Sequence, residues 1–345
     1  MTKQKIRYGV IGCGSMGREH IENLKALEGS VVTALADTHP ASRDAAAALL
    51  GEAATQPTVF ESYQDLLASN LCDAVIIATP NFTHAQVMRD ALPTDLHLLI
   101  EKPLCTTLED CTDLLERAQG RKAIVWVAQE YRYMPPVAEM IRIAHEGGVG
   151  TLHQVAIREH REPFYPKVGD WNRFSVNTGG TLVEKCCHYF NLMEFILKEP
   201  ATRVFASGGQ RVNHLDEDYG GLRPDILDSA YVVVGDEGKL ESLIPSLVLR
   251  HGRREDWGKR TVWGEPSGSG RGVSTRRVWD TNIKYAGQHF GASYIEHQRF
   301  ANAIRNGLPP EVTLADGMRC VAVGLAAHRS IATGRAIDMS DMIPS

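Results

Sequence analysis

The sequence of 345 residues has no excess of positive charge and no long apolar run. Its 37 Lys and Arg against 42 Asp and Glu give a formal net charge of -5, so it lacks the basic field that nucleic acids or anionic membranes require. No stretch reaches the ~18 consecutive apolar residues of a membrane helix, and no apolar leader opens the chain. We therefore expect no nucleic-acid partner, no membrane partner and a cytoplasmic location.

Paired-cysteine and paired-histidine motifs are also missing. The seven cysteines include no CxxC spacing, and the neighbours Cys186 and Cys187 could not easily bridge to each other, which favours reduced thiols. His188 has Glu184 four residues before it but no second histidine on the same helical stretch. We therefore predict no metal site. A cysteine nucleophile is also disfavoured, because no His/Asn partner can be recognised.

Short apolar runs alternate with helical patterns through residues 1–129. Such runs are typical of a parallel sheet covered by helices on both faces. We therefore predict an α/β fold with a doubly wound, Rossmann-type parallel sheet over 1–129. The predicted strands are Ile6–Ile11, Val31–Ala36, Thr58–Phe60, Ala74–Thr79, His97–Ile100 and Ile124–Ala128.

The pattern changes over residues 130–345, which we predict to be a second, α+β domain that binds substrate. After a helix that ends near His145, Val155 and Ile157 alternate with polar residues. A period of two marks a sheet with one covered face, so this sheet should be open-faced and largely antiparallel. Further predicted features are strands at Thr202–Ser207, Ser229–Val234 and Lys239–Leu249, a surface loop at Gly264–Gly272, and a closing helix at Ala315–Thr333.

The segment GCGSMG, residues 12–17, follows the first strand and opens a helix. In this context Gly12 permits a tight turn, Gly14 lets the backbone approach a pyrophosphate, and Gly17 allows close helix packing. Ser15 and Met16 begin the helix, whose amides and partial positive charge suit phosphates. The pattern predicts a dinucleotide site, and the alternative is a plain strand-to-helix turn.

Asp37 ends the second strand, 20 residues after Gly17. An acidic residue here accepts hydrogen bonds from the adenosine ribose hydroxyls and repels a 2′-phosphate, so NAD is predicted over NADP. The alternative is a helix N-cap. His39 and Arg43 lie close enough in sequence to tolerate a 2′-phosphate, so NADP stays the less favoured cofactor.

Two further motifs follow strands: Thr79-Pro80-Asn81 comes after the fourth strand, and Glu101-Lys102-Pro103 comes after the fifth. Ligands of open α/β sheets gather at the carboxyl ends of the strands, which places both motifs on the nicotinamide side of the cofactor. Lys102 is expected to have a lowered pKa there, through desolvation and a nearby positive nicotinamide. The alternatives are a turn role for Asn81 and solvated surface for Lys102. The residues assigned to the cofactor are Thr79, Pro80, Asn81, His84, Glu101 and Lys102.

The segment Gly179–His188 is a second candidate centre. If the residues after Gly180 are helical, Glu184 and His188 share one face. Histidine gains and loses a proton near neutral pH, as removal of an alcohol proton during hydride departure requires. The alternative is a core or surface histidine. We take Lys102, Glu184 and His188 as the catalytic candidates.

A mixed-charge segment, Arg158 to Arg173, lies between the Glu-Lys-Pro motif at 101–103 and the segment Gly179–His188. Its cations, interleaved with acidic residues, are either a solvated surface or a pocket wall for a substrate with a carboxylate, sulfonate or phosphate group. The segment contains Arg158, His160, Arg161, Lys167, Trp171 and Arg173. Besides the three catalytic candidates, the predicted substrate contacts are Tyr131, Arg158, Trp171 and Arg173.

Taken in order, these motifs resemble the Gfo/Idh/MocA family of sugar and cyclitol dehydrogenases, and the resemblance covers most of the chain. It extends to the tail segments Tyr294–Phe300 and Ala326–Ile331. The resemblance implies an NAD(P) cofactor, substrate contact by the Glu-Lys-Pro lysine, and acid/base work by the histidine. It also implies dimers or tetramers formed through the open sheet face. Glu184 and Asn191 stand where that family usually has aspartate.

Two reaction classes remain open. The first is an NAD-dependent dehydrogenase that removes hydride from a ring hydroxyl of a sugar, sugar acid or cyclitol. The second is an NAD-dependent glycosidase, in which oxidation, elimination and return of the hydride cleave a glycoside, including an anionic one. Both need the same cofactor and bases. A non-catalytic NAD-sensing module is disfavoured because Lys102 and His188 are both present.

Overall fold

The computed structural model describes residues 5–51, 56–159, 162–231, 239–244, 246–252 and 273–343. The predicted loop Gly264–Gly272 lies outside these residues, as do His160 and Arg161 of the mixed-charge segment. All seven cysteines are within them, and none is in a disulfide.

The first half of the chain forms a six-stranded parallel sheet of order β3-β2-β1-β4-β5-β6. Its strands are β1 Ile6–Ile11, β2 Ser30–Ala36, β3 Thr58–Phe60, β4 Ala74–Ile77, β5 His97–Ile100 and β6 Val125–Val127. All four residues of β4 are completely buried, as a sheet covered on both faces requires. The predicted doubly wound fold is confirmed, with strand ends within two residues of the prediction.

Five helices connect and cover these strands. The loops that end β1, β2, β4 and β5 all reach the carboxyl edge of the sheet, where the strand order reverses between β1 and β4. The sequence motifs therefore meet at one edge. The helices are α1 Ser15–Ala26, α2 Pro40–Leu50, α3 Tyr63–Ala68, α4 His84–Ala91 and α5 Leu108–Arg117.

Over its described residues the second half is α+β, with three small antiparallel sheets, β10-β11-β12, β8-β9 and β13-β7. The helices are α6 Pro135–His145, α7 Ser175–Thr178, α8 Thr181–Glu184, α9 Cys187–Leu197, α10 Ala292–Asn306 and α11 Leu314–Thr333. The strands are β7 Arg203–Val204, β8 Ser207–Gly209, β9 Ser229–Tyr231, β10 Lys239–Leu243, β11 Val248–Gly252, β12 Val273–Arg277 and β13 Ile337–Asp338. The predicted fold class and closing helix are confirmed.

Three predicted strands of this half are wrong. The first, Thr202–Ser207, is divided between the short strands β7 and β8, which belong to different sheets. Val155 and Ile157 lie in an irregular segment, where both side chains are half-buried against the main core rather than paired with a described strand. The segment Lys239–Leu249 is a hairpin, not a single strand. Leu247 has a φ of 55°, a left-handed conformation that no strand accommodates, and Pro245 in the sequence cannot donate a ladder hydrogen bond.

Helix α11 joins the two halves. Just before it, the carbonyl of Val312 accepts a hydrogen bond from the amide of Val127 in β6, at 3.2 Å. Gly317 approaches the first half so closely that a Cβ atom there would lie 3.1 Å from Leu104. A Cβ atom at Gly324 would lie 2.9 Å from Val183, which belongs to α8 and precedes Glu184. The same helix thus fixes α8 against the carboxyl edge of the parallel sheet.

Candidate active site

The glycine turn has room for a ligand at one position only. A Cβ atom at Gly12 would lie 2.5 Å from the carbonyl oxygen of Ala78, and one at Gly17 would lie 1.8 Å from that of Gly12. At Gly14, which caps α1 without a side-chain hydrogen bond, a Cβ atom would meet nothing within 4 Å. The turn therefore presents open backbone and the amides of Ser15 and Met16, which fits the phosphates of a dinucleotide.

The Asp37 carboxylate is fixed beside this turn. Its oxygens accept hydrogen bonds from the amides of Cys13, at 2.7 Å, and His39, at 2.8 Å. The N-cap position of α2 belongs to His39, so Asp37 does not have the alternative N-cap role. The guanidinium of Arg43 donates to the Asp37 carbonyl at 2.6 Å, which places the cation next to the predicted ribose site.

The motif after β4 contains one polar atom that is ready for a ligand. Asn81 is only 7 % exposed, and its Nδ2 has no hydrogen-bond partner among the described residues. The Thr79 hydroxyl accepts from Thr83 at 2.8 Å. His84 is fully buried, with its ring nitrogens 3.0 Å from the Thr79 carbonyl and 2.8 Å from that of Pro103. His84 therefore braces the two motif loops from beneath.

Glu101 lies inside a chain of buried polar side chains. Its carboxylate is 2.9 Å from His20 Nε2, and His20 Nδ1 is 2.8 Å from His297 Nε2. Burial alone would raise the pKa of Glu101, but the contact with His20 and the charge of Lys102 lower it to about 2. The predicted cofactor residue Glu101 thus ties α1 and α10 to the end of β5.

Lys102 meets the second centre across the junction of the two halves. Its ammonium donates to the Glu184 carbonyl at 3.3 Å. Burial lowers the pKa of Lys102, but Cys187 and the carboxylates of Glu101, Glu130 and Glu184 raise it above its usual value. The expected lowering of this pKa is therefore wrong for the protein alone, because neighbours from the second half outweigh desolvation.

Glu184 and His188 are not on one continuous helix. Helix α8 ends at Glu184 and α9 begins at Cys187. The Glu184 carboxylate pairs with the ammonium of Lys185 at 2.8 Å. Both predicted residues are buried, 3 % and 4 % exposed. Lys102 contacts Glu184, and Glu130 lies near both Lys102 and His188, so the structure brings the three candidates into one region, although Glu184 and His188 are on different helices.

A carboxyl group that no sequence motif marked, that of Glu130, lies beside His188. The 3₁₀ helix Glu130–Tyr133 follows β6, and Tyr131 stacks on the His188 ring with centroids 4.0 Å apart and planes 2° apart. Glu130 Oε1 lies 3.6 Å from His188 Nε2 and equally far from His289 Nε2. The place of Glu130 just after a strand could have marked it as a site residue, whereas no pattern in the sequence marks His289.

The mixed-charge segment contributes only part of the predicted wall. Trp171 packs edge-on against Phe82, next to the Asn81 motif, with ring centroids 6.2 Å apart. Arg158 is exposed. Arg173 is buried and holds Glu217 at 2.8 Å, so its guanidinium is already engaged and the predicted substrate contact is not supported.

Among the described cations of this segment, Lys167 comes near the site, since its charge interacts with those of Lys102, Glu184 and Glu101. Burial, and then the charge of Lys102, lower its pKa, while Glu184 and Glu101 act in the opposite direction. Within the described parts of the chain, no three His, Cys, Asp or Glu side chains are placed to hold a metal ion. Over the same residues, no helix combines the length and apolar character needed to cross a membrane.

Comparison with known proteins gives matches along most of the chain. Residues 6–129 match the NAD-binding Rossmann domain of an oxidoreductase family, and residues 143–339 match the C-terminal alpha/beta domain of that family. The chain is 25% identical over 350 residues to the myo-inositol 2-dehydrogenase of Thermotoga maritima, covering 98% of this chain and 100% of the relative.

Two other matches differ in kind. A Glycosyl hydrolase family 109 protein of a Shewanella species is 30% identical over 180 residues, which are 49% of this chain and 39% of that protein. The solved structure of levoglucosan dehydrogenase with NADH and levoglucosan aligns with a TM-score of 0.79 at 19% identity, over 97% of this chain and 100% of that one. The predictions of an NAD-linked dehydrogenase, and of NAD as cofactor, are confirmed.

The environment of Gly14 yields a test of the cofactor site. Gly14→Ala should weaken NAD binding by about 10- to 100-fold, because the new methyl group occupies the open space that the pyrophosphate needs. Its φ of -68° accepts alanine and no protein atom is near, so the melting temperature should not change. Calorimetric titration gives the affinity. Gly17→Ala serves as the comparison and should lower the yield of folded protein, because its methyl group would clash with the Gly12 carbonyl. Tight NAD binding by Gly14→Ala would show that the cofactor does not bind at this turn.

Cofactor choice is tested at Asp37. The unmutated protein should bind NAD more tightly than NADP, and Asp37→Ser should narrow the ratio of the two dissociation constants about tenfold by removing the carboxylate that repels a 2′-phosphate. Calorimetry with both nucleotides measures the ratio. NADP binding as tight as NAD binding in the unmutated protein would remove Asp37 from this role.

Proposed function

Because the chain belongs to the Gfo/Idh/MocA oxidoreductase family, we propose that it oxidises a ring CH–OH group of a cyclitol, sugar or sugar acid. The observation that carries this proposal is the meeting of Lys102 with the Glu184–His188 segment at the carboxyl edge of the parallel sheet. The named activities of relatives, on myo-inositol and on levoglucosan, support a polyhydroxylated ring as the substrate.

The cofactor would be held by the glycine turn, Asp37 and the motif after β4. When bound, NAD supplies the nicotinamide ring that accepts the hydride. The open backbone at Gly14 and the unpaired amide nitrogen of Asn81 support this placement. The protein then has to hold the substrate hydroxyl, remove its proton and exclude competing water.

The roles of Lys102 and His188 follow from their charges. The raised pKa of Lys102 keeps its ammonium protonated, so it would hold the reacting oxygen and favour the developing alkoxide. His188 is then the proton acceptor, and the stacked ring of Tyr131 fixes the orientation of its imidazole. Glu184 would position the site through its carbonyl contact with Lys102 and its pairing with Lys185.

A second candidate function is NAD-dependent cleavage of a glycoside. The partial match to Glycosyl hydrolase family 109 proteins favours it, although it spans about half of this chain. An anionic substrate, carboxylated or sulfonated, would have Lys167 as its cationic contact, because Arg173 is engaged by Glu217. The dimer or tetramer predicted from the sequence remains a prediction that light scattering would test.

One experiment separates the two functions. The protein is incubated with NAD and a panel of inositols, sugars, sugar acids and glycosides, while NADH absorbance and aglycone release are followed together. A dehydrogenase accumulates NADH in proportion to product. A glycosidase releases aglycone with no net NADH and needs only catalytic NAD. A panel that gives neither signal contradicts both proposals.

The assignment of the base is tested by substitution. His188→Ala should lower kcat by about 10²- to 10⁴-fold, because a proton acceptor is lost, and Lys102→Ala should cause comparable damage by removing the stabilising charge. NAD affinity, measured by calorimetry, should change little in either variant. The exposed histidine His153 offers a matched control, and His153→Ala should keep full activity. Unimpaired turnover by His188→Ala would leave Lys102 as the base.

A further inference from the structure

Glu130 is a buried carboxylate whose neighbours suggest a role in the reaction. It is 2 % exposed, and neither of its carboxylate oxygens has a hydrogen-bond partner among the described residues. A single oxygen, Oε1, lies 3.6 Å from the Nε2 atoms of both His188 and His289. We propose that Glu130 relays the proton taken up by His188 to His289, and so to solvent. This inference rests on the proposed function.

The backbone around Glu130 holds it in this position. Glu130 opens the 3₁₀ helix after β6, and the next two residues both contact α9. Tyr131 stacks on the His188 ring, and the Arg132 guanidinium donates to the Asn191 side chain. The ring of His188 is thus held on its face by one residue and approached on its Nε2 edge by the preceding one. Such double support is what a positioned proton-transfer group requires.

The exposure of the three groups gives the relay a direction. The side chains of Glu130 and His188 are 3 % and 4 % exposed, whereas that of His289 is 19 % exposed. His289 is therefore the member of the set that water can reach. The transfer distances exceed a direct hydrogen bond, so each step needs a bridging water or a side-chain shift of about 0.5 Å.

The proton balance of the relay is simple. Glu130 starts protonated, and its O–H bond breaks as Nε2 of His289 takes the proton and passes it to water. A new O–H bond then forms on the Glu130 carboxylate as the Nε2–H bond of His188 breaks, while Nδ1 of the same ring takes the proton from the substrate O–H bond. No electrons move in these steps. An imidazole that accepts on one nitrogen and releases from the other suits this path.

The surrounding charges allow Glu130 and His289 to alternate. Burial, and then the nearby charge of Glu101, raise the pKa of Glu130 to about 8, while burial lowers that of His289 to about 4. Near neutral pH Glu130 therefore carries a proton and His289 has a free ring nitrogen, so the first transfer runs from Glu130 to His289 and leaves Glu130 ready to accept from His188. The charged or titratable groups that face them are Glu19, His20, Glu101, Lys102 and Glu296.

Substitution at Glu130 separates a relay from a packing role. Glu130→Gln keeps the shape but cannot carry the proton, whereas Glu130→Asp keeps the acid but shortens the side chain. The relay predicts a 10- to 100-fold lower kcat for Glu130→Gln, a larger solvent deuterium isotope effect and substantially more activity in Glu130→Asp. KM and NAD affinity should stay within about threefold. A matched control is Glu194→Gln, which removes a carboxylate that pairs with Arg319 away from the site. Glu130→Gln as active as the unmutated protein, or more active than Glu130→Asp, overturns the relay.

A second measurement does not depend on turnover. In the isotope-labelled protein without substrate, the NMR titrations of His188 and His289, assigned with His188→Asn and His289→Asn, should both shift in Glu130→Gln. Unchanged titrations overturn the inference whatever the reaction is. If the unmutated protein oxidises no polyol, the proposed function fails, and a joint shift of the two titrations still supports proton sharing through Glu130.

Discussion

The attraction between one ammonium group and the carboxylates around it constrains the whole site. Lys102 stands at the end of β5 among three acidic side chains, Glu101, Glu130 and Glu184, each of which is at most 5 % exposed, and the ionised members of this set offset its charge. Removal of one charge from such a set leaves others buried and uncompensated, which costs several kcal/mol in real proteins. The two halves of the molecule must therefore stay together for either set of charges to be stable. Assembly of the site and docking of the halves are one event.

This coupling explains why Lys102 acts as a fixed cation in the proposed reaction. A lysine with a lowered pKa would compete with His188 for the substrate proton. Surrounded by acidic side chains, Lys102 keeps its proton and leaves the transfer to the imidazole, which has the carboxyl group of Glu130 beside it. The division of labour thus arises from which side chains the second half places against the end of β5, and it requires no special property of the lysine itself.

The sequence predicts the parts of the structure that depend on local pattern. Buried parallel strands and the glycine turn are written in consecutive residues, so the Rossmann-type sheet and the candidates Gly12, Gly14 and Asp37 follow from it. Lys102 and His188 could be found because each belongs to a short motif. Tertiary contacts decide the rest. Neither the engagement of Arg173 by Glu217 nor the pairing of His289 with Glu130 has a local signature, since each joins residues 44 or more positions apart. The segment around Val155 has a strand pattern but no described partner strand, and alternation alone cannot supply one.

The close packing of α11 bears on how ligands enter. Gly317 touches the first half and Gly324, two helical turns later, touches the second, and at these two positions the helix has no side chain to keep its backbone away from its neighbours. A clamshell opening of the two halves would pull at least one glycine out of van der Waals contact and expose a strip of bare helix. The helix thus acts as a rigid spine across the junction. We therefore expect cofactor and substrate to enter and leave through movement of the loops at the carboxyl edge of the parallel sheet. Binding rates should then report loop motion and not hinge motion.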